Sequence, residues 1–171
     1  MANTYTLIAS SIVGSGGAST IDFTSIPSTY TDLMVVLSAR STRNLYEWDD
    51  IRQNINSSGV STSITAVNVY GTGSATGSNT GVGTAAGIAN TDNVTANSFS
   101  SVSIYYPNYT SSNNKSISVD AVSENNATSA LAILTATLWS NTAAITSLSF
   151  SCANGNFKQY STAYLYGISN S

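Results

Sequence analysis

This chain reads as an all-β domain: an antiparallel, jelly-roll-like β-sandwich with one long Gly/Ser/Thr-rich loop. Three observations lead there. Short runs that alternate apolar and polar residues recur along the chain, with the period of two that a half-buried strand requires. Clusters of Gly, Asn and Ser separate these runs at close intervals. Ser, Thr and Asn fill 71 of 171 positions, and small polar residues of this kind suit solvent-facing strands and turns.

The elements follow in order. Tyr5 to Ala9 is a first strand, and Gly14-Ser-Gly-Gly17 is the turn after it. Ile21 to Phe23 is a short second strand. Ile26-Pro27 then directs the chain onward, because proline fixes its own backbone angle and biases the preceding residue towards an extended form. Leu33-Met-Val-Val-Leu37 is apolar on both faces and reads as a central strand. Ile51-Arg-Gln-Asn-Ile55 places two isoleucines on one face. Val102-Ser-Ile104-Tyr-Tyr106 alternates and stops at Pro107, which cannot donate to a sheet ladder. Ile117-Ser-Val119-Asp-Ala121, Leu148-Ser-Phe150-Ser-Cys152 and Tyr164-Leu-Tyr166-Gly-Ile168 repeat the pattern.

Ala130 to Trp139 is ambiguous, since alanine and leucine favour a helix. We prefer a strand, because the flanking runs alternate and the segment ends in the polar turn Ser140-Asn-Thr142. That strand puts Ala132, Leu134, Ala136 and Leu138 on one face and Leu131, Ile133, Thr135, Thr137 and Trp139 on the other. Gly71 to Ser98 holds six of the twelve glycines and little periodic hydrophobicity. It reads as a long mobile loop or a loose hairpin, and as a contact arm.

The length suits a single domain, 1–171, with a core of useful size. Only 8% of residues are charged, against a usual ~25%, and the net charge is -3. A near-neutral surface associates readily, so self-assembly or docking is expected. The acidic balance and the absence of a Lys/Arg cluster argue against nucleic acid. Arg40, Arg43 and Arg52 read as ordinary edge or rim residues. No basic leader precedes an apolar stretch and no apolar run reaches membrane length, so neither a signal peptide nor a membrane partner is expected.

The chemistry available is narrow. The chain has no histidine and one cysteine. Cys152 shares the apolar face of its strand and has no histidine to activate it, so it reads as a buried, inert thiol. No catalytic residues, cofactor or metal ligands are expected, and the chain reads as a structural or binding protein. Glu47-Trp-Asp-Asp50 is the densest acidic patch. Its spacing does not match a calcium loop, and a solvated loop between strands is the preferred reading. The alternative is a glycan site at Trp48, Asp49 and Asp50, where an aromatic ring sits beside carboxylates. Tyr105 and Tyr109 are candidate interface residues, together with Gly73, Gly77 and Gly81 of the arm. Tyr164 and Tyr166 are expected to pack within the sandwich.

Two segments carry a resemblance. One runs from Thr4-Tyr-Thr-Leu-Ile-Ala-Ser-Ser-Ile-Val-Gly-Ser-Gly-Gly17 through Ile21-Asp-Phe-Thr-Ser-Ile-Pro27 to Thr31-Asp-Leu33. The other joins Trp139-Ser-Asn-Thr-Ala-Ala-Ile-Thr-Ser-Leu148, Gly155-Asn-Phe157 and Tyr160-Ser-Thr-Ala-Tyr-Leu-Tyr-Gly-Ile168. Together they resemble virion structural proteins of tailed bacteriophages from marine and cyanobacterial hosts, with the middle, about 41 to 98, matching least. The resemblance implies a capsid decoration, or cement, protein on the outer surface of the phage head. Its partner would be the major capsid protein, and it would act as a homo-oligomer, with a trimer favoured. The alternative it implies is a tail-fibre module that recognises a host surface glycan.

Overall fold

A computed structural model describes residues 4–56, 63–80, 85–125 and 130–169. These residues form strands and no helix. The strands are β1 (Tyr5–Ile12), β2 (Thr20–Phe23), β3 (Asp32–Ala39), β4 (Trp48–Ile55), β5 (Ile64–Gly71), β6 (Thr76–Thr80), β7 (Ala85–Asn90), β8 (Ser100–Tyr106), β9 (Lys115–Glu124), β10 (Ala130–Trp139), β11 (Leu148–Cys152) and β12 (Thr162–Ile168). They make two antiparallel sheets in a sandwich. The larger has eight strands in the order β1-β12-β3-β8-β9-β10-β5-β6, and the smaller has the order β2-β11-β4-β7. This order is compatible with a jelly-roll-like winding.

The alternating runs all become strands, and apart from Tyr164 and Tyr166 of the last run their alternating apolar residues are buried. From the large sheet come Leu33, Val35, Leu37, Val102 and Ile104; from the small one come Ile21, Phe23, Ile51, Ile55 and Phe150. Phe23 and Phe150 meet edge to face at 6.4 Å. The apolar run of β3 lies between β12 and β8, well inside the large sheet. Cys152 is buried, and burial pushes its thiol up to about 12.

Ala130–Trp139 is a strand. It pairs along its length with β9 on one side and β5 on the other, which satisfies its backbone in two ladders that a helix would forfeit. Its Leu131, Thr135, Thr137 and Trp139 are buried, whereas Leu134 and Leu138 are exposed.

Three expectations need correction. The segment 71–98 is not one long loop, although its first part is a hairpin, the other of the two readings. It contains β6, which folds back on β5 as a hairpin, and β7, which crosses to the small sheet and pairs with β4. The hairpin turn is closed by a hydrogen bond from Thr72 N to Ala75 O at 2.9 Å. Residues 86–90 are all buried, so this part is core and not a free arm. Gly87 explains why the composition misled: at φ 102°, a Cβ there would lie 2.7 Å from Val102 Cγ1. That glycine marks a close approach of the two sheets, not looseness.

Arg40 is not a rim residue. It is 5% exposed, and its guanidinium donates to the carbonyls of Thr95 (2.9 Å), Ser98 (2.9 Å) and Val94 (3.2 Å), with Asp92 at 3.6 Å. One planar cation thereby shapes the 91–98 connection.

The Glu47–Asp50 patch is not a solvated loop throughout, since Trp48 opens β4.

Lys115 is also buried. Its ammonium donates to the carbonyls of Ser111 and Ala143, both at 2.7 Å, and of Asn141 at 3.3 Å, and it lies 5.5 Å from the Trp139 ring centroid. This ties the β8–β9 connection to the chain after β10. Burial lowers the Lys115 pKa.

Candidate functional site

β4 separates the acidic patch. Neighbouring residues of a strand point to opposite faces, so Asp49 and Asp50 cannot serve one ligand. Asp49 is fully buried. Its carboxylate accepts from Ser41 Oγ at 2.7 Å, Asn154 Nδ2 at 3.0 Å and Asn154 N at 3.2 Å, and lies 3.6 Å from Arg43 Nη1. It anchors the connection after β11 to the start of β4, and this corrects its place in the candidate glycan set. Trp48 and Asp50 do come together. Both line a cleft of about 600 Å³ between the β4–β7 edge and the β5–β6–β10 end of the large sheet. Restricted access to water, and then the charge of Asp49, raise the Asp50 pKa. Among the described residues no three Asp, Glu or Cys side chains lie close enough to share a metal ion.

The interface candidates divide in the same way. Tyr109 is fully buried, with its hydroxyl donating to Pro27 O, so it is a core residue and not an interface one. Tyr105 lies on the outer face of the large sheet, partly exposed, and donates to Asp32 Oδ2 at 2.8 Å. Gly73 sits at the tip of the β5–β6 hairpin with φ 84° and open space around it. Gly77 pairs with Tyr70 across that hairpin. A Cβ on Gly77 would lie 2.6 Å from Tyr70 Cζ, so the ring rests on the glycine. Gly81 lies outside the described residues. Tyr164 and Tyr166 do not pack within the sandwich. They are half-buried on its outer face, where Tyr166 meets Tyr5 edge to face at 6.4 Å.

That outer face is the broadest feature of the molecule. Strand register lines up Leu7, Tyr166, Met34 and Tyr105 across β1, β12, β3 and β8. Further along, Val69 pairs with Leu134, and Leu134 with Asp120. Val67, Val69, Val122, Leu134 and Leu138 are exposed, Val69 to 56% and Leu134 to 53%. Ala132 and Ala136 flank Leu134 and leave shallow hollows. Eight strands about 4.8 Å apart and roughly 27 Å long give a face of about 1,000 Å². Its charged strand residues are Asp32, Asp120 and Glu124, with no cation among them.

Nothing in the sequence analysis singled out β5, which supplies Val67 and Val69 to this face and Asn68 and Tyr70 to the cleft. The alternation Ile64-Thr-Ala-Val-Asn-Val was the available signal.

No protein-family model matches this chain, and no curated protein or solved structure shows significant similarity to it.

Proposed function

We propose that this chain is a structural protein of a tailed-phage virion, one that decorates the head by seating the outer face of its large sheet on the capsid lattice. The observation that carries the reading is the exposed row of Val67, Val69, Leu134 and Leu138, on a face whose charged strand residues are Asp32, Asp120 and Glu124 alone among the described residues. Exposed apolar patches of more than a few hundred Å² mark interaction surfaces. A face of about 1,000 Å² suffices for a standard specific interface, which buries roughly 800 Å² per partner. The resemblance of the two end segments to phage virion proteins supplies the setting.

The mechanism is surface burial without bond chemistry. Binding that requires neighbouring capsid subunits in place stabilises the assembled lattice by mass action. A homotrimer contacting several subunits would add avidity to each contact. The carboxylates Asp32, Asp120 and Glu124 favour a neutral or basic partner surface.

The test has two parts. Gold-labelled antibody on intact virions is expected to decorate the head in many copies; label confined to the tail tip overturns the head assignment. Purified protein is expected to bind heads that lack it, and Val69→Asp with Leu134→Asp to abolish that binding while the fold persists. Undiminished binding by this double variant overturns the docking face.

A further inference from the structure

We propose that the cleft between β4–β7 and β5–β6–β10 binds a neutral saccharide. The inference rests on the cleft itself and is independent of the docking face.

Four features of the lining point to this ligand. The first is a pair of aromatic side chains. Trp48 and Tyr70 are both half-buried, so each keeps part of its surface open. Tyr70 is held by resting on Gly77, which leaves the ring ordered before any ligand arrives. The electron-rich face of an aromatic ring attracts the weakly positive C–H face of a pyranose.

The second feature is Asp50, an acceptor for sugar hydroxyls. A carboxylate makes stronger hydrogen bonds than a neutral oxygen. It is the one charged residue among the described residues that line the cleft. Arg43 and Arg52 act on this carboxylate from outside the described lining, so an acidic sugar in the cleft meets the like charge first, and this favours a neutral ligand.

The third feature is an unmet hydrogen-bonding need. Asn68 lines the cleft, is only 5% exposed, and its Oδ1 has no hydrogen-bond partner among the described residues. Thr135, its cross-strand neighbour on β10, is 1% exposed, and its Oγ1 also lacks a partner. Buried polar atoms are ordinarily satisfied by protein or by water, so Asn68 Oδ1 is an acceptor open to a donor that enters the cleft. A hydroxyl-rich ligand supplies donors where Asn68 closes the cleft.

The fourth feature is the balance of the remaining lining. Ile88 and Leu131 provide apolar wall, and Asn79 adds a carboxamide at the rim. Saccharides combine apolar C–H faces with hydroxyl edges, and this wall matches both. The volume, about 600 Å³, falls in the range of roughly 300–1,000 Å³ usual for small-molecule sites.

The chain offers its own reporter. It has two tryptophans, and Trp139 is fully buried in the core. A ligand in the cleft therefore changes the emission of Trp48 alone. The probes are methyl glucoside, methyl galactoside, methyl mannoside and N-acetylglucosamine as neutral sugars, with glucuronate as the acidic control and glucosamine as the cationic one. Saturation-transfer NMR and Trp48 emission are measured on the full chain. At least one neutral sugar is expected to bind in the millimolar range, and glucuronate not to bind. Asp50→Asn is expected to weaken binding by about tenfold with an unchanged circular-dichroism spectrum. Asn79→Ala, at an exposed position, is expected to weaken it by a smaller factor. Val69→Asp with Leu134→Asp on the outer face is expected to leave sugar binding unchanged, so this site and the docking face fail separately. No binding by any neutral sugar, binding by glucuronate or glucosamine alone, or full affinity in both Asp50→Asn and Asn79→Ala overturns the proposal.

Discussion

The guanidinium of Arg40 holds the Ser98 carbonyl at 2.9 Å, across 58 residues of sequence. The same group reaches Thr95 O and Val94 O, so three carbonyls of one connection converge on one cation. The geometry suits arginine, whose planar fork presents several donors at fixed angles.

Arg40→Ala would remove the guanidinium donor from those carbonyls, leaving Thr95 O its bond from Ser98 Oγ at 2.7 Å, and would leave Asp92 with Lys158, at 2.7 Å, as its ion-pair partner among the described residues. The expected loss is about 3 kcal/mol, measured by urea unfolding. Amide exchange over residues 91–98 is expected to rise more than exchange in β3 or β8. Arg40→Lys is expected to restore only part of the stability, since a point charge cannot meet all three carbonyls at once.

Gly87→Ala tests whether β7 is core or arm. Its φ of 102° is unfavourable for any side chain, and the added methyl would meet Val102 Cγ1 at 2.7 Å and Ala121 Cβ at 3.2 Å. The expected cost is about 2–3 kcal/mol. Gly14→Ala, with ordinary φ and open space around it, is expected to be nearly neutral. Equal tolerance at both positions in thermal unfolding would count against the packed β7.

Val69→Ser and Leu134→Ser on the outer face are expected to change stability by less than about 0.5 kcal/mol each, because both side chains already stand more than half exposed. The same exchange at Val35 or Leu37, which are buried, is expected to cost several kcal/mol. Chemical denaturation of the four variants separates a surface kept for a partner from one kept for the fold.

The tyrosines set an alkaline limit. Burial raises the pKa of Tyr106 well above its ordinary 10.0. The hydrogen bond to Asp32, followed by burial, raises that of Tyr105, and burial raises that of Tyr109. In each case the folded chain holds the proton more tightly than the unfolded one. The associated stability is complete below the unfolded value near 10 and is lost as pH climbs through the folded values. Denaturant midpoints are therefore expected to stay level with respect to these groups up to about pH 9 and to fall above about pH 10. Tyrosinate absorbance is expected to show the Tyr106 phenolate only as the chain unfolds.

Much of the architecture was legible because a strand with one face buried writes a period of two into its own residues. Leu148 to Cys152 carries that pattern, whereas Ala130 to Trp139 reads as a strand only through its alternating neighbours and the polar turn after it; both strands have the expected bounds. Glycine content was a poorer guide around 71–98. A glycine required by close packing, such as Gly87, is indistinguishable in sequence from one that loosens a loop.

β5 shows where local pattern stops being informative. Ile64-Thr-Ala-Val-Asn-Val-Tyr70 alternates, but hydrophobicity does not say which side faces the core. The ladder with β10 sets Asn68 beside Thr135, facing inwards, and Val69 beside Leu134, facing out. A polar pair is buried and an apolar pair is exposed, against the simple expectation. Each of the two proposed surfaces depends on that inversion.

Strand character and the buried thiol of Cys152 were thus written in the chain, since both depend on residues one or two positions apart. The separation of Asp49 from Asp50 was written there as well, once β4 was known to include them. The burial of Tyr109 and Arg40, the uncovered face, and the place of Trp48 and Tyr70 in one cleft were not. Those depend on which strands become neighbours, and pairing is chosen by contacts between residues tens of positions apart whose combined burial no local window contains.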